Sequence, residues 1–142
     1  MMTVTVTPPD MELFLTGYLR ECLRDRGMTI QVSNKEPDNL KLPLAKPLVV
    51  VRDDGGLQDS RISYQANIGV SVLAGTRKND WAANNLARIV YAILTNPEIA
   101  SAQGSPITVV DIGGCTRPVP VVEDLDVSRR YMTLTYGAVG TF

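Results

Sequence analysis

Two groups of carboxylates are the residues of this sequence best suited to chemistry. One group surrounds a Gly-Gly turn and the other precedes the last predicted strand: Asp53, Asp54 and Asp59, and Glu123, Asp124 and Asp126. Carboxylate oxygens bind hard cations, but neither group has the D-x-[DN]-x-[DN]-G spacing of a calcium loop. We interpret both groups as solvated turn residues, and an acidic patch at an assembly interface is the next interpretation.

The sequence contains no histidine. This composition excludes Ser-His-Asp and Cys-His catalytic centres and the common histidine zinc sites. The glycine-rich phosphate-binding sequences G-x-x-x-x-G-K-[ST] and G-x-G-x-x-G are also missing. We therefore expect no enzyme activity, no metal site and no cofactor, while a small domain that works with carboxylates alone stays as an alternative. Cys22 and Cys115 are interpreted as two buried thiols of a cytosolic chain, with a disulfide between them left open.

Three other side chains could contact a partner. The pair Arg129-Arg130 could bind nucleic acid or an acidic protein, but the preferred interpretation is that both are exposed strand charges. Trp81 could be an interface anchor, but its position in a predicted helix favours a half-buried core residue. The chain has 14 basic and 15 acidic residues, so it lacks the strongly basic balance of a nucleic-acid-binding protein.

Two helices are predicted to position these residues. In the first, apolar side chains recur with the i, i+3, i+4, i+7 spacing of an amphipathic helix: Met11, Phe14, Leu15, Tyr18, Leu19, Cys22 and Leu23. Gly27 suits the position just past its end. The second helix begins near residue 80, with Thr76 or Asn79 as the cap, and ends at Asn96, because the residue before a proline avoids the helical conformation.

Strands are predicted for most of the remaining chain. Residues 62–74 alternate between apolar and polar side chains, which indicates a long strand with one face on the core. Further strands are predicted at 28–32, 48–51, 107–112 and 130–138, with a hairpin turn at Gly55-Gly56. Residues 113–120 contain two prolines and two glycines, so we predict an irregular segment there.

The predicted order is α-β-β-β-α-β-β, which favours an α+β fold with two helices packed on one face of a mainly antiparallel sheet. The length of 142 residues fits a single domain, 1–142, in which residues 1–9 are expected to be flexible. No apolar stretch approaches the roughly 20 residues of a membrane span, and residues 1–14 lack the features of a signal peptide. We therefore expect no membrane association.

Several short segments together resemble a known family. They are the strand P-L-V-V-V-R with Asp-Gly-Gly after it, the Ala-Gly-Thr turn, and the stretch T-R-P-V-P-V-V-E-D before R-R-Y-M-T-L-T-Y. Over residues 10–139 the chain resembles the tail terminator proteins of long-tailed bacteriophages, also called head-to-tail joining or tail completion proteins. The likeness is greatest to those of phages that infect actinobacteria.

The resemblance implies a ring, usually of six copies, that sits on the last ring of the tail tube. Such a ring stops tube polymerisation and offers a surface to the head connector or stopper protein. It implies a place in the tail or neck of the virion, with assembly in the host cytoplasm. DNA would pass through the lumen without tight binding, and the acidic turns at 53–59 or 123–126 are the candidates for the lumen surface. A neighbouring neck or head-completion protein of the same connector is the alternative.

The residues themselves also favour association. The long strand offers sheet-edge contacts, and the loops 34–47 and 113–127 exceed what a compact fold needs, so they are candidate contact arms. We expect the segment 113–126 to be mobile in the free chain and ordered in a ring, with Arg117 paired to a carboxylate of the adjacent copy. A monomeric adaptor stays as an alternative. The candidate interface residues are Asp53, Asp54, Asp59, Arg117, Glu123, Asp124, Asp126 and Arg129.

Overall fold

Helix α1 spans Met11–Asp25 in the structure, a computed structural model that describes residues 4–142. The Asp10 carboxylate caps the helix, because its Oδ1 accepts a hydrogen bond from the Leu13 N–H at 3.0 Å. Gly27 follows the helix with a φ of 74°, a left-handed conformation that glycine adopts at little cost. The predicted first helix and its end are confirmed.

Helix α2 spans Trp81–Thr95 and ends at Asn96 before a short 3-10 helix, Pro97–Ser101. Asp80 occupies the N-cap position but makes no capping bond. The Thr76 hydroxyl oxygen accepts a hydrogen bond of 3.2 Å from the Asn79 N–H, in the turn before the helix, and the Asn79 side-chain oxygen accepts one of 3.4 Å from the Trp81 N–H. The predicted helix is therefore confirmed, while Asp80 rather than Thr76 or Asn79 holds the cap position.

Six strands form one sheet: β1 Gln31–Ser33, β2 Leu48–Asp53, β3 Ser63–Ala74, β4 Ile107–Val110, β5 Thr116–Val121 and β6 Ser128–Val139. The order across the sheet is β1-β2-β3-β6-β4, and β5 pairs with the other half of β6 on the same side as β4. All pairs are antiparallel except β1 with β2. The α+β class with a mainly antiparallel sheet is confirmed.

Both helices pack on one face of this sheet. The alternating apolar residues of β3, Ala66 to Val72, meet the buried sides of α1 and α2 in a single core that includes Leu19, Val90 and Tyr136. On the opposite face a smaller cluster joins Leu48, Leu73 and Val127 to the loop 34–47 through Leu40, Leu42 and Leu44. Much of that loop therefore packs on its own sheet, and its use as a contact arm stays a prediction.

The structure corrects two predictions about the strands. The segment 113–120 is not irregular throughout, because residues 116–121 form β5, which tolerates its prolines as an edge strand with a register shift. The predicted strand 28–32 is shorter and shifted, since β1 covers only Gln31–Ser33.

At the N-terminus, Thr7 and Thr141 exchange two backbone hydrogen bonds of 2.7 and 2.9 Å. Residues 1–3 of the segment expected to be flexible lie outside the described part, and the flexibility of the segment stays a prediction.

Candidate interaction surface

Arg129 and Arg130, at the start of β6, are not the exposed strand charges that the sequence suggested. The Arg129 guanidinium lies 2.8 Å from a carboxylate oxygen of Glu36 and 2.7 Å from one of Glu123, and its side chain is only 16% exposed. Arg130 pairs with Asp80 at the start of α2. Each arginine thus fastens a neighbouring segment to the sheet, so Arg129 was wrongly expected to be available to a partner.

The acidic set that precedes β6 is divided among separate contacts. Glu123 binds Arg129, and this hydrogen bond lowers the pKa of Glu123 below its usual value. One oxygen of Asp126 accepts the Arg77 N–H at 3.1 Å, while Asp124 is exposed. The three carboxylates therefore do not act as one patch, although Asp124 still faces solvent.

The hairpin turn predicted at Gly55-Gly56 lies further along the chain, because the Gly55 and Leu57 carbonyls still pair with β3 and the chain reverses where the Asp59 N–H bonds the Ser63 carbonyl at 3.0 Å. The acidic set of this hairpin is divided in the same way. Arg52 pairs with Asp54 at 2.6 Å, and Asp53 accepts the Gly55 N–H at 2.8 Å. Asp59 is exposed, and among the described residues no basic side chain lies within 4.0 Å of its carboxylate. Within residues 4–142 no three Cys, Asp or Glu side chains group closely enough to hold a metal ion.

Gly69, in the middle of β3, is approached closely by polar side chains of β6 and of the residue that follows β2. A Cβ at this residue would collide with the Tyr131 hydroxyl and would lie 2.7 Å from an oxygen of Asp54. The missing side chain makes room for a polar group in which Arg52 also bonds Tyr131, at 3.2 Å. The part of this face around Gly69 is therefore polar, whereas the apolar cluster of Leu48, Leu73 and Val127 occupies another part of the same face.

A groove between α2 and β5 is the site where Arg117 lies. One wall is a stripe of α2 with Asn84, Arg88 and Tyr91, and the other wall is residues 116–119 of β5. We call this feature the α2–β5 groove. Trp81 belongs to the same stripe, because side chains three, seven and ten residues apart share one helix face. Its side chain is 71% exposed, so the prediction of a half-buried core residue is wrong and the interface alternative remains.

Exposed apolar side chains are frequent near this groove, at the start of α2, on β5 and in the turn that follows β5. They are Trp81, Val119, Val121, Val122 and Leu125. Isolated exposed apolar residues are ordinary, but four within the seven residues 119–125 are typical of an interaction site. These residues were not predicted as a group from the sequence, because the segment 113–120 was predicted to be irregular.

The edges of the sheet are poorly suited to pairing with another strand. On β6, odd-numbered residues direct their backbone groups toward β4 and β5, as the bonds from the Val139 N–H and to the Thr135 carbonyl demonstrate. The β5 residues paired with odd residues are Thr116, Val119 and Val121, with a register shift between the first two. Pro118 and Pro120, on either side of Val119, therefore face the free edge. That edge offers carbonyl acceptors at both prolines but no N–H donor from either one.

The other edges of the sheet offer little more. Strand β1 is three residues long, and its outward carbonyl, that of Val32, accepts a bond of 2.9 Å from Arg20. The long strand β3 is not an edge at all, because β2 and β6 pair with its two sides. The expectation that the long strand makes sheet-edge contacts between subunits is therefore wrong, and side-chain surfaces are the available means of association.

The comparisons with known proteins find no match, neither to a family model nor to a curated protein. No helix within residues 4–142 is long and apolar enough to cross a membrane.

Proposed function

We propose that the chain is a tail terminator subunit of a long-tailed bacteriophage. In this proposal copies of the chain form a ring, of six subunits, that caps the tail tube and joins the tail to the head connector. The observation that carries it is the group of exposed apolar side chains near the α2–β5 groove, at Trp81, Val119, Val121, Val122 and Leu125. A surface of this kind fits a subunit that is complete only in an assembly.

The sequence resemblance supports the same proposal. Its most specific segments are residues 47–54, 116–120 and 129–131, and these contribute β2, β5 and the start of β6. Two of the three lie together, because β5 pairs with the first half of β6. The segments that resemble terminators therefore include the strand that bears the candidate interaction surface.

DNA would cross such a ring without tight binding. Within the two acidic turns, Asp59 and Asp124 are exposed and have no basic partner among the described residues, so they are the candidates for repelling a polyanion. The paired residues Asp54 and Glu123 contribute less to that field than the sequence suggested, since a guanidinium neutralises each of them. Salt-dependent binding of random-sequence DNA by the purified protein would contradict this part of the proposal.

The proposal is tested with tail-tube protein from the same phage. Tube protein polymerises in the presence of increasing amounts of this chain, and electron microscopy measures the lengths of the tubes. We expect tubes that shorten as the chain is added and that carry a ring at one end. Unchanged tube lengths without end rings would refute a terminator, and binding to the connector alone would indicate the neighbouring neck protein.

A matched pair of variants tests whether tube capping depends on the α2–β5 groove. Val119 and Val109 are both partly exposed valines of edge strands, at 45% and 54% exposure, and only Val119 lines the α2–β5 groove. We expect Val119→Asp to weaken tube capping and Val109→Asp to leave it unchanged. Equal capping by both variants would separate the function from this surface.

A further inference from the structure

The α2–β5 groove is basic as well as partly aromatic. Arg88 and Arg117 line it together with Tyr91, and none of its lining residues is acidic. Neither arginine has a carboxylate within 4.0 Å among residues 4–142. A groove with two free guanidinium groups and aromatic side chains along one wall is complementary to a segment that carries both an apolar side chain and a carboxylate.

The same chain presents such a segment on its own surface. We call residues 54–62, between β2 and β3, the acidic loop; all nine are exposed. Leu57 is 74% exposed, and the free carboxylate of Asp59 follows two residues later. The base of the loop is ordered, since the carbonyls of Gly55 and Leu57 accept bonds of 2.7 and 2.8 Å from the N–H groups of β3. A pre-ordered loop loses little conformational entropy on docking.

Leu57 and Asp59 of the acidic loop cannot reach the groove of their own chain. The end of the loop joins the sheet beside Gly140, just past the last residue of β6, where the Gly140 N–H donates a hydrogen bond of 2.9 Å to the Ile62 carbonyl. The groove-bearing strand β5 pairs with residues 129–133 at the opposite end of β6. Eight residues of extended strand separate Tyr131 from Val139, a distance of about 26 Å. A contact between the two features therefore requires a second copy.

We propose that the α2–β5 groove of one copy receives the acidic loop of the next copy. Leu57 docks against the aromatic stripe of α2, and Asp59 pairs with Arg88 or Arg117. The contact joins two different surfaces, so it is heterologous, and repetition of such a contact closes a ring when the rotation permits. The inference rests on the proposed function in that it supplies the contact between neighbouring subunits.

Two multiple variants test the contact from its two sides. The groove variant carries Arg88→Glu and Arg117→Glu, and the loop variant carries Leu57→Ser and Asp59→Asn. Matched controls place the same changes on exposed positions of α1 and its C-cap: Arg24→Glu with Arg26→Glu, and Leu13→Ser with Asp25→Asn. We expect each test variant, but neither control, to raise the concentration of half-assembly by at least about tenfold. Light scattering over a concentration series measures this concentration, and circular dichroism verifies folding.

Mixing the two variants distinguishes a heterologous contact from any other kind. The groove variant keeps an intact loop and the loop variant keeps an intact groove, so one contact can form between them and none can follow it. We expect the mixture to stop at dimers, while wild-type chains form larger assemblies. Trp81 is the single tryptophan of the chain, so its fluorescence maximum should shift to the blue as each groove is filled.

Three outcomes would overturn the pairing. They are a wild-type chain that stays monomeric with unshifted fluorescence at the highest concentration, a loop variant that assembles like its control, and a mixture that forms no dimers. None of these outcomes decides the proposed function, because tube capping is measured separately. A wild-type chain that shortens tubes after any of the three would remain a terminator whose subunits meet through another surface.

Discussion

Removal of the Leu19 side chain should destabilise the whole domain, because this residue joins α1 to the sheet. Leu19 is fully buried in the core shared by both helices. Truncation to alanine loses the transfer free energy of the deleted groups and leaves a cavity that the surrounding residues fill only in part. Together these terms lower the free energy of unfolding by about 2–5 kcal/mol.

This loss of unfolding free energy corresponds to a measurable decrease of the melting temperature. Unfolding entropy near the midpoint is about 2.1 cal/mol/K per residue, or roughly 0.3 kcal/mol/K for a chain of 142 residues. Leu19→Ala should therefore lower the midpoint by about 7–17 °C. The matched variant Leu13→Ala lies on the same helix with its side chain 72% exposed, and its effect should stay within about 0.5 kcal/mol.

Differential scanning calorimetry of the two variants and the wild type measures both quantities. Leu19→Ala should have a much lower melting temperature than Leu13→Ala, although the two changes delete the same atoms from the same helix, because only Leu19 is buried. Equal midpoints for the two variants would refute the packing of α1 on the sheet and would mean that α1 is an exposed arm in solution.

Three further predictions follow from individual contacts. Tyr136→Phe leaves the carbonyl near the end of α2 without its buried 2.7 Å hydrogen bond and should lower stability by about 1–3 kcal/mol in urea unfolding. The pKa of Glu123 is lower in the folded protein than its unfolded value of 4.5, so the ionised side chain stabilises the fold above pH 4.5, and this stabilisation is lost as the pH falls through the folded pKa. Glu123→Gln should therefore lower the free energy of unfolding at pH 7 and make it decline less steeply in acid. A variant whose stability declines as steeply as that of wild type would exclude a role for the bond to Arg129. In Gly56→Ala the new Cβ would collide with the Gln65 carbonyl, at a backbone φ of 154°, and stability should fall by about 1–3 kcal/mol; a midpoint equal to that of wild type would contradict this geometry.

Local periodicity was sufficient to predict most of the fold. The alternation in β3 and the helical spacing in α1 each report which face is buried, because the burial of side chains follows the period of the backbone. In α2 one residue departs from the prediction. Trp81 was expected to be half-buried because of its position in the helix, whereas it lies on the exposed stripe of Arg88, and the buried stripe is that of Leu86 and Val90.

The polar contacts could not be predicted, because they join residues that are far apart in the sequence. Arg129 meets Glu36 and Glu123 only after β6 pairs with β5 and the loop 34–47 folds over the sheet. The sequence therefore identified these residues as charged and placed them in turns or at strand ends, but it could not assign their partners. Candidate interface residues chosen by charge alone included several that are satisfied within the chain.

The prolines of β5 could be read from the sequence, but the direction of their nitrogen atoms could not, and this direction determines how the edge of the sheet can associate. Proline is incompatible with a central strand but suits an edge strand when its nitrogen faces away from the ladder. The side that each proline nitrogen faces depends on which residue of β6 it pairs with, and this register is set by the tertiary structure. Because Pro118 and Pro120 face the free edge, that edge has acceptors without donors at these two positions, and a regular ladder with another strand would be interrupted there. Association at this side of the sheet must therefore use side chains, and the side chains present are those of the α2–β5 groove.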